Sequence, residues 1–168
     1  MTKLTIRTAT TLDAAAIQKI YQPYVEETAI SFEYEAPDAA EMTHRIQTYS
    51  NKYPYIIAFD EKQKAVGFAY ATPYSSRAAY EPSCEVSIYV AQDSKARGIG
   101  QQLYDVLEYQ LTIQGRRNLV AIITASNKAS LNFFEKNQYK QVGYLPRIGY
   151  KFDQWHDVIY LIKSFLPE

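Results

Sequence analysis

Two features of one stretch, "SCEVSIYVAQDSKARGIGQQLYDVLEYQL" (residues 83–111), could do chemistry. The first is its glycine loop. Gly98 and Gly100 stand where a strand-like run gives way to a helical pattern, so main-chain N–H groups there lack partners and lie at the positive end of a helix dipole. Without side chains, that backbone admits a pyrophosphate closely, and Lys95 and Arg97 add local positive charge. A tight loop with solvated cations is the plainer alternative, and the glycines alone leave both open. The second feature is Glu85. "SCEVSIYV" alternates, with Cys84, Val86, Ile88 and Val90 on one face and Glu85, Ser87 and Tyr89 on the other. A carboxylate in a central strand is partly desolvated, which raises its pKa toward that of a general base near neutral pH. The alternative is a rim glutamate bonded to a tyrosine or arginine.

Other phosphate motifs fit poorly. A nucleotide-triphosphate loop needs lysine and serine or threonine after the glycine, but Gln101 and Gln102 follow Gly100. A dinucleotide fingerprint wants a third glycine where Leu103 stands, and an acidic residue ending the next strand, where "ITASN" stands. Eighteen basic and eighteen acidic side chains cancel, so no overall field recruits nucleic acid or an anionic membrane. Cys84 is the only cysteine and the two histidines lie far apart, which leaves no disulfide and no metal ligand set. No signal-peptide core or membrane-spanning run is present, so a cytoplasmic protein is expected. Sixteen tyrosines suit half-buried strands and pockets with a wet end.

The elements that must position these residues read as one α/β domain over residues 1–168. "KLTIRTA" is a first strand. Ile17, Ile20, Tyr21, Tyr24 and Val25 recur at helical spacing, with Pro23 expected to bend or interrupt that helix. Asp38 caps a second helix, with Glu41 three residues on and Met42, Ile46 and Tyr49 as its stripe. "YIIAFD" and "AVGFAYATP" form a hairpin, and "YSSRAAYEP" is a loop before the Glu85 strand. A helix runs from about Ile99 to Gln114, with Gly115 as its stop. The apolar strand "NLVAIITA", the helix "NKASLNFFEKN" and a hairpin turning at "DQW" complete the chain.

"KARGIG" resembles the coenzyme A loop of the GNAT superfamily of N-acetyltransferases, with Lys95 in place of the usual glutamine or arginine. "NKASLNFFEKNQY" resembles that family's later helix, with Gln138 and Tyr139 where it usually has Gly-Phe. "ISFEYEAP", "PYSSRAAYEPSCEVSIYV" and "YKFDQWHDV" resemble the phosphinothricin and methionine sulfoximine acetyltransferase group, so the likeness runs from about residue 5 to residue 164.

The resemblance implies a mixed central sheet of six to seven strands flanked by helices, acetyl-CoA as co-substrate and no metal. It implies a small-molecule amine substrate and a homodimer. Glu85 is then the general base. The main chain of Ile88, Tyr89 and Val90 holds the acetyl end of the cofactor, with an N–H of Tyr89 or Val90 meeting the oxyanion. The loop Lys95, Ala96, Arg97, Gly98, Ile99, Gly100 and Gln101 takes the pyrophosphate, Asn127 the pantetheine arm, and Ser130 the phosphate end. Phe32 and Glu33 form one wall of the substrate pocket. Arg77, beside Tyr80, offers a bidentate bond to an amino acid carboxylate, although a loop arginine is often simply solvated. The usual proton donor to the thiolate, a tyrosine or histidine seven residues after the asparagine, is here Phe134, which cannot donate. Trp155, His156 and Asp157 read mainly as structure. Three alternatives stay open: acetylation of a protein or peptide amine, a catalytically silent coenzyme A binding module and, last, a dinucleotide oxidoreductase.

Overall fold

Period-two runs become strands and the capped periodic runs become helices, in a computed structural model that describes residues 3–95 and 97–166. Strand β1 (Thr5–Thr8) leads into helix α1 (Ala14–Glu26) and helix α2 (Ala39–Ser50). The Asp38 carboxylate accepts the Glu41 N–H at 2.8 Å, which is the cap expected for α2. Strands β2 (Tyr55–Phe59), β3 (Ala65–Pro73) and β4 (Ser83–Val90) follow, then helix α3 (Ile99–Ile113), strand β5 (Asn118–Thr124), helix α4 (Lys128–Lys136), and strands β6 (Lys140–Lys151) and β7 (Gln154–Ser164).

Two details differ from the sequence reading. Of the bend or interruption expected at Pro23, the interruption does not occur: helix α1 runs on to Glu26, with Ile20, Tyr21, Tyr24 and Val25 burying one continuous face on both sides of the proline. The last hairpin turns at Phe152 and Asp153, both with φ near +50°, so Gln154 and Trp155 already belong to β7. Gly115, at φ +82°, does end α3.

The seven strands form one mixed sheet in the order β1-β2-β3-β4-β5-β7-β6. All neighbours are antiparallel except β4 and β5. One core lies between the sheet and α3 and α4, built on Leu103, Leu107, Leu111, Leu131 and the β4 residues Cys84 and Val86. The other lies under α1 and α2, built on Ile17, Tyr24, Met42, Ile46, Tyr55 and Phe68. The alternation of β4 therefore divides its side chains between two layers. Cys84 is fully buried, and burial pushes its thiol pKa up to about 12, which makes it an inert packing group.

The pairing of β4 with β5 is short. Ser83, Cys84 and Glu85 face Asn118, Leu119 and Val120, and there the pairing ends. Beyond Glu85, β4 continues against β3 alone and β5 against β7 alone. A V-shaped opening results.

Close packing of α3 behind this opening depends on Gly67 of β3. A Cβ there would lie 2.8 Å from Leu103 Cδ1 and 3.1 Å from the Tyr89 carbonyl oxygen. Leu103 is fully buried and has little room to move. Gly67→Ala is expected to cost about 1–3 kcal/mol, read in a thermal melt as a midpoint lower by about 2–10 °C.

Candidate active site

The opening between β4 and β5 exposes main chain. The Ala91 N–H bonds to the Val66 carbonyl on β3 at 2.9 Å, so by the alternation of a strand the Tyr89 main chain also faces β3 and that of Val90 faces the opening. The Tyr24 hydroxyl confirms this direction by donating to the Val90 carbonyl at 2.5 Å from the other side. Of the two N–H groups proposed to meet an oxyanion, the one directed into the opening is that of Val90.

A cavity of 320 Å³ lies on the α3 and α4 side of the opening. Ile88, Tyr89, Val90, Lys95, Gly98, Ile99, Gly100, Asn127 and Ser130, all among the residues read as cofactor candidates, line it. Gly98, with φ +73°, is the N-cap of α3 and turns the chain into the helix. A Cβ on Gly100 would already touch Val90 and Phe133, at 3.7 and 3.9 Å. The Lys95 ammonium lies over the Tyr24 ring, 5.2 Å from its centre. Arg97 and Gln101 are exposed and stand outside the lining, and Gln101 bonds instead to Asp105 and Asn137. Ala96 lies outside the described residues. Asn127 caps α4 by accepting the Ser130 N–H at 3.2 Å and donates to the Ser130 hydroxyl at 2.9 Å. Phe133 and Phe134 close the floor.

A second cavity, of 370 Å³, lies on the α1 side, lined by Tyr21, Ile30, Ser31, Phe32, Glu33, Glu85, Ser87, Tyr89, Ile122, Thr124 and Val158. Tyr89 and Ile30 line both cavities, so the two meet there. Glu85 accepts no hydrogen bond among the described residues, which removes the reading of a rim glutamate tied to a tyrosine or arginine. Burial alone raises its pKa above the ordinary glutamate value. Glu33 is treated oppositely. The Arg45 guanidinium grips both its oxygens, at 2.6 and 3.0 Å, and holds its pKa below the usual range against the opposing effect of burial, with the Tyr21 hydroxyl adding to the depression.

Phe32 and Glu33 thus line the same cavity as Glu85. Arg77 and Tyr80 are exposed on the loop before β4 and do not line the Glu85 cavity. Tyr80 packs edge-on against Tyr74 at 5.2 Å. Trp155 is exposed against Tyr150, and His156 bonds the Lys151 carbonyl at 2.9 Å, in keeping with a structural hairpin. Sequence reasoning did not bring Tyr24 and Thr124 to these cavities or Arg45 to Glu33. The helical spacing of Tyr24 marked it only as core, and no local signal announces a hydroxyl that reaches 66 residues along the chain.

Residues 6–160 match the family described as Acetyltransferase (GNAT) domain. The chain is 33% identical over 160 residues to the phosphinothricin N-acetyltransferase of Streptomyces viridochromogenes, covering 95% of this chain and 87% of that one. It is 27% identical to the L-methionine sulfoximine/L-methionine sulfone acetyltransferase of Pseudomonas aeruginosa, covering 96% and 95%. Among solved structures, a GNAT superfamily phosphinothricin acetyltransferase from Sinorhizobium meliloti in complex with acetyl-CoA superposes with a TM-score of 0.93 at 30% identity, covering 98% of this chain and 89% of that one.

The glycine loop yields a direct test. Alanine at Gly98 would be strained at positive φ by about 1–2 kcal/mol, and relaxation of that strain would carry the loop N–H groups away from the cavity. Gly98→Ala is expected to weaken acetyl-CoA binding about tenfold in a calorimetric titration.

Proposed function

The chain belongs to the GNAT acetyltransferases, with acetyl-CoA as co-substrate, and on that premise we propose that it acetylates the α-amine of a small amino acid or amino acid analogue by direct transfer, with Glu85 as general base. The observation that carries the reading is the junction of the two cavities at Tyr89, with an elevated-pKa carboxylate, unpartnered among the described residues, two strand positions from Ser87 on the amine side. Phosphinothricin and methionine sulfoximine, named for the two relatives, are both amino acid analogues, and a 370 Å³ cavity suits a substrate of that size.

The substrate arrives as an ammonium, attracted to a cavity with two carboxylates in its lining. Glu85 takes a proton from it, directly or through one water. The nitrogen lone pair attacks the thioester carbonyl carbon. As the C–N bond forms, the carbonyl electrons move to oxygen, where the Val90 N–H meets them. The C–S bond then breaks, the new amide nitrogen gives up its second proton, and the thiolate takes one, so the only net proton stays on Glu85 and is returned to solvent. Tyr24 is our candidate for that donor in place of Phe134: it lines the cofactor cavity, burial keeps it protonated, and its one O–H would turn from the Val90 carbonyl to the sulfur and be replaced by the proton leaving nitrogen. Arg77, whose guanidinium has no partner among the described residues, remains the candidate for the substrate carboxylate at the mouth.

The first experiment follows thiol release from acetyl-CoA over L-amino acids, phosphinothricin, methionine sulfoximine, methionine sulfone and short peptides. Turnover is expected on a small amino acid or analogue. Turnover on peptides alone would reassign the substrate, and tight acetyl-CoA binding without any turnover would make the chain a silent binder. In the active enzyme kcat/KM is expected to rise with pH through the elevated pKa of Glu85, because only its ionised form accepts a proton. Glu85→Gln should abolish that limb and lower kcat by about 10²–10⁴-fold. Tyr24→Phe should lower kcat while leaving the amine KM in place, as loss of an interaction made only in the transition state does.

A further inference from the structure

We propose that Lys151 is a positioning residue that fixes the wall of the amine cavity, clamping from inside the segment that carries Phe32 and Glu33; this rests on the cavity's being the amine site. Lys151 ends β6 and is only 3% exposed. Its ammonium donates to three main-chain carbonyls, those of Val25 at 2.5 Å, Thr28 at 2.8 Å and Ser31 at 2.8 Å. An ammonium has three donors, and all three are used. None goes to a carboxylate, and burial holds the lysine pKa below its ordinary value, with Glu33 opposing from a distance.

The target of the clamp is a stretch that cannot position itself. Residues 27–38 contain no helix or strand, so their carbonyls have no ladder partner, and Val25 lies in the last turn of α1, where the carbonyls lack acceptors' usual helical donors. One cation from the far end of the chain satisfies three of them at once, at the helix end where positive charge is favoured. A buried charge is a poor device for stability alone, since apolar residues of similar volume commonly hold a fold as well. It does fix geometry. Here the geometry it fixes passes directly to the cavity: Ser31 shares a 2.7 Å hydrogen bond with the Tyr21 hydroxyl and accepts the Glu33 N–H at 3.2 Å, and Phe32 lies between them in sequence.

The same hairpin shapes the wall at a second point. A Cβ on Gly149 would lie 2.2 Å from the Phe32 ring, so the ring occupies the space left by the missing side chain. On the neighbouring strand, His156 faces Phe32 at 5.9 Å between ring centres.

The test compares Lys151→Met with the parent enzyme. Amide exchange at Ile30 and Glu33, whose N–H groups bond to Thr28 and Ser31 hydroxyls, is expected to speed at least about tenfold, with α3 amides unchanged. The amine KM is expected to rise about tenfold or more, while the acetyl-CoA Kd stays within about twofold. Gly149→Ala, which displaces Phe32 with the ammonium intact, should raise KM without speeding exchange at Ile30. Should Lys151→Met not fold, Lys151→Arg, which keeps the charge but moves the donors, carries the same expectations as Lys151→Met. Faster exchange throughout, with both affinities lost together, would reduce Lys151 to general packing and overturn the proposal; so would unchanged exchange at Ile30 and Glu33. If the parent enzyme acetylates no amine, the functional reading fails on its own, and the exchange comparison still decides the clamp.

Discussion

The molecule is organised around a parallel pairing that stops after three residues. Two strands that ran together to their ends would satisfy each other's main chain and leave a closed sheet. Because β4 and β5 part after Glu85 and Val120, each is stabilised by its other neighbour, β3 on one side and β7 on the other, and the groups facing the gap are left for something else. Main-chain donors and acceptors cannot be left dry at low cost. Tyr24 takes the Val90 carbonyl, and the Val90 N–H still faces the gap. A ligand that itself carries amides and a carbonyl, as acetyl-CoA does, suits such an edge. The pairing also stops at the level of Glu85, so the carboxylate sits beside the apex of the opening.

What could be read from the sequence follows from the range of each signal. The alternation of β4, the Asp38 cap, the Gly98 turn and the Gly115 stop are local events, set by neighbours within four residues, and the structure repeats them. Phe32 and Glu33 were reachable through the family likeness alone, because nothing in "ISFEYEAP" says that it will fold back over β4. The clamp by Lys151 lies 120 to 126 residues from its acceptors, and Arg45 reaches Glu33 from another helix. Such contacts have no period and no spacing. Pro23 shows the opposite case, a local signal for a break that the packing of four large side chains around it prevents.

The cavity that holds Glu85 also shows how one fold gives two carboxylates different environments. Glu33 and Glu85 line the same 370 Å³ space, yet their environments push their pKa values in opposite directions. Arg45 keeps Glu33 ionised, and it spends that carboxylate on a bidentate pair and on Tyr21, so Glu33 is occupied and shapes the wall. Glu85 has no such partner among the described residues, and burial leaves it able to gain a proton nearer neutral pH than an exposed glutamate would. On the proposed mechanism, exchanging the two environments would leave a base too weak to take a proton and a wall that changed charge as the reaction proceeded. The separation of roles therefore depends less on β4 itself than on Arg45 of α2 and on whatever keeps Glu33 within its reach.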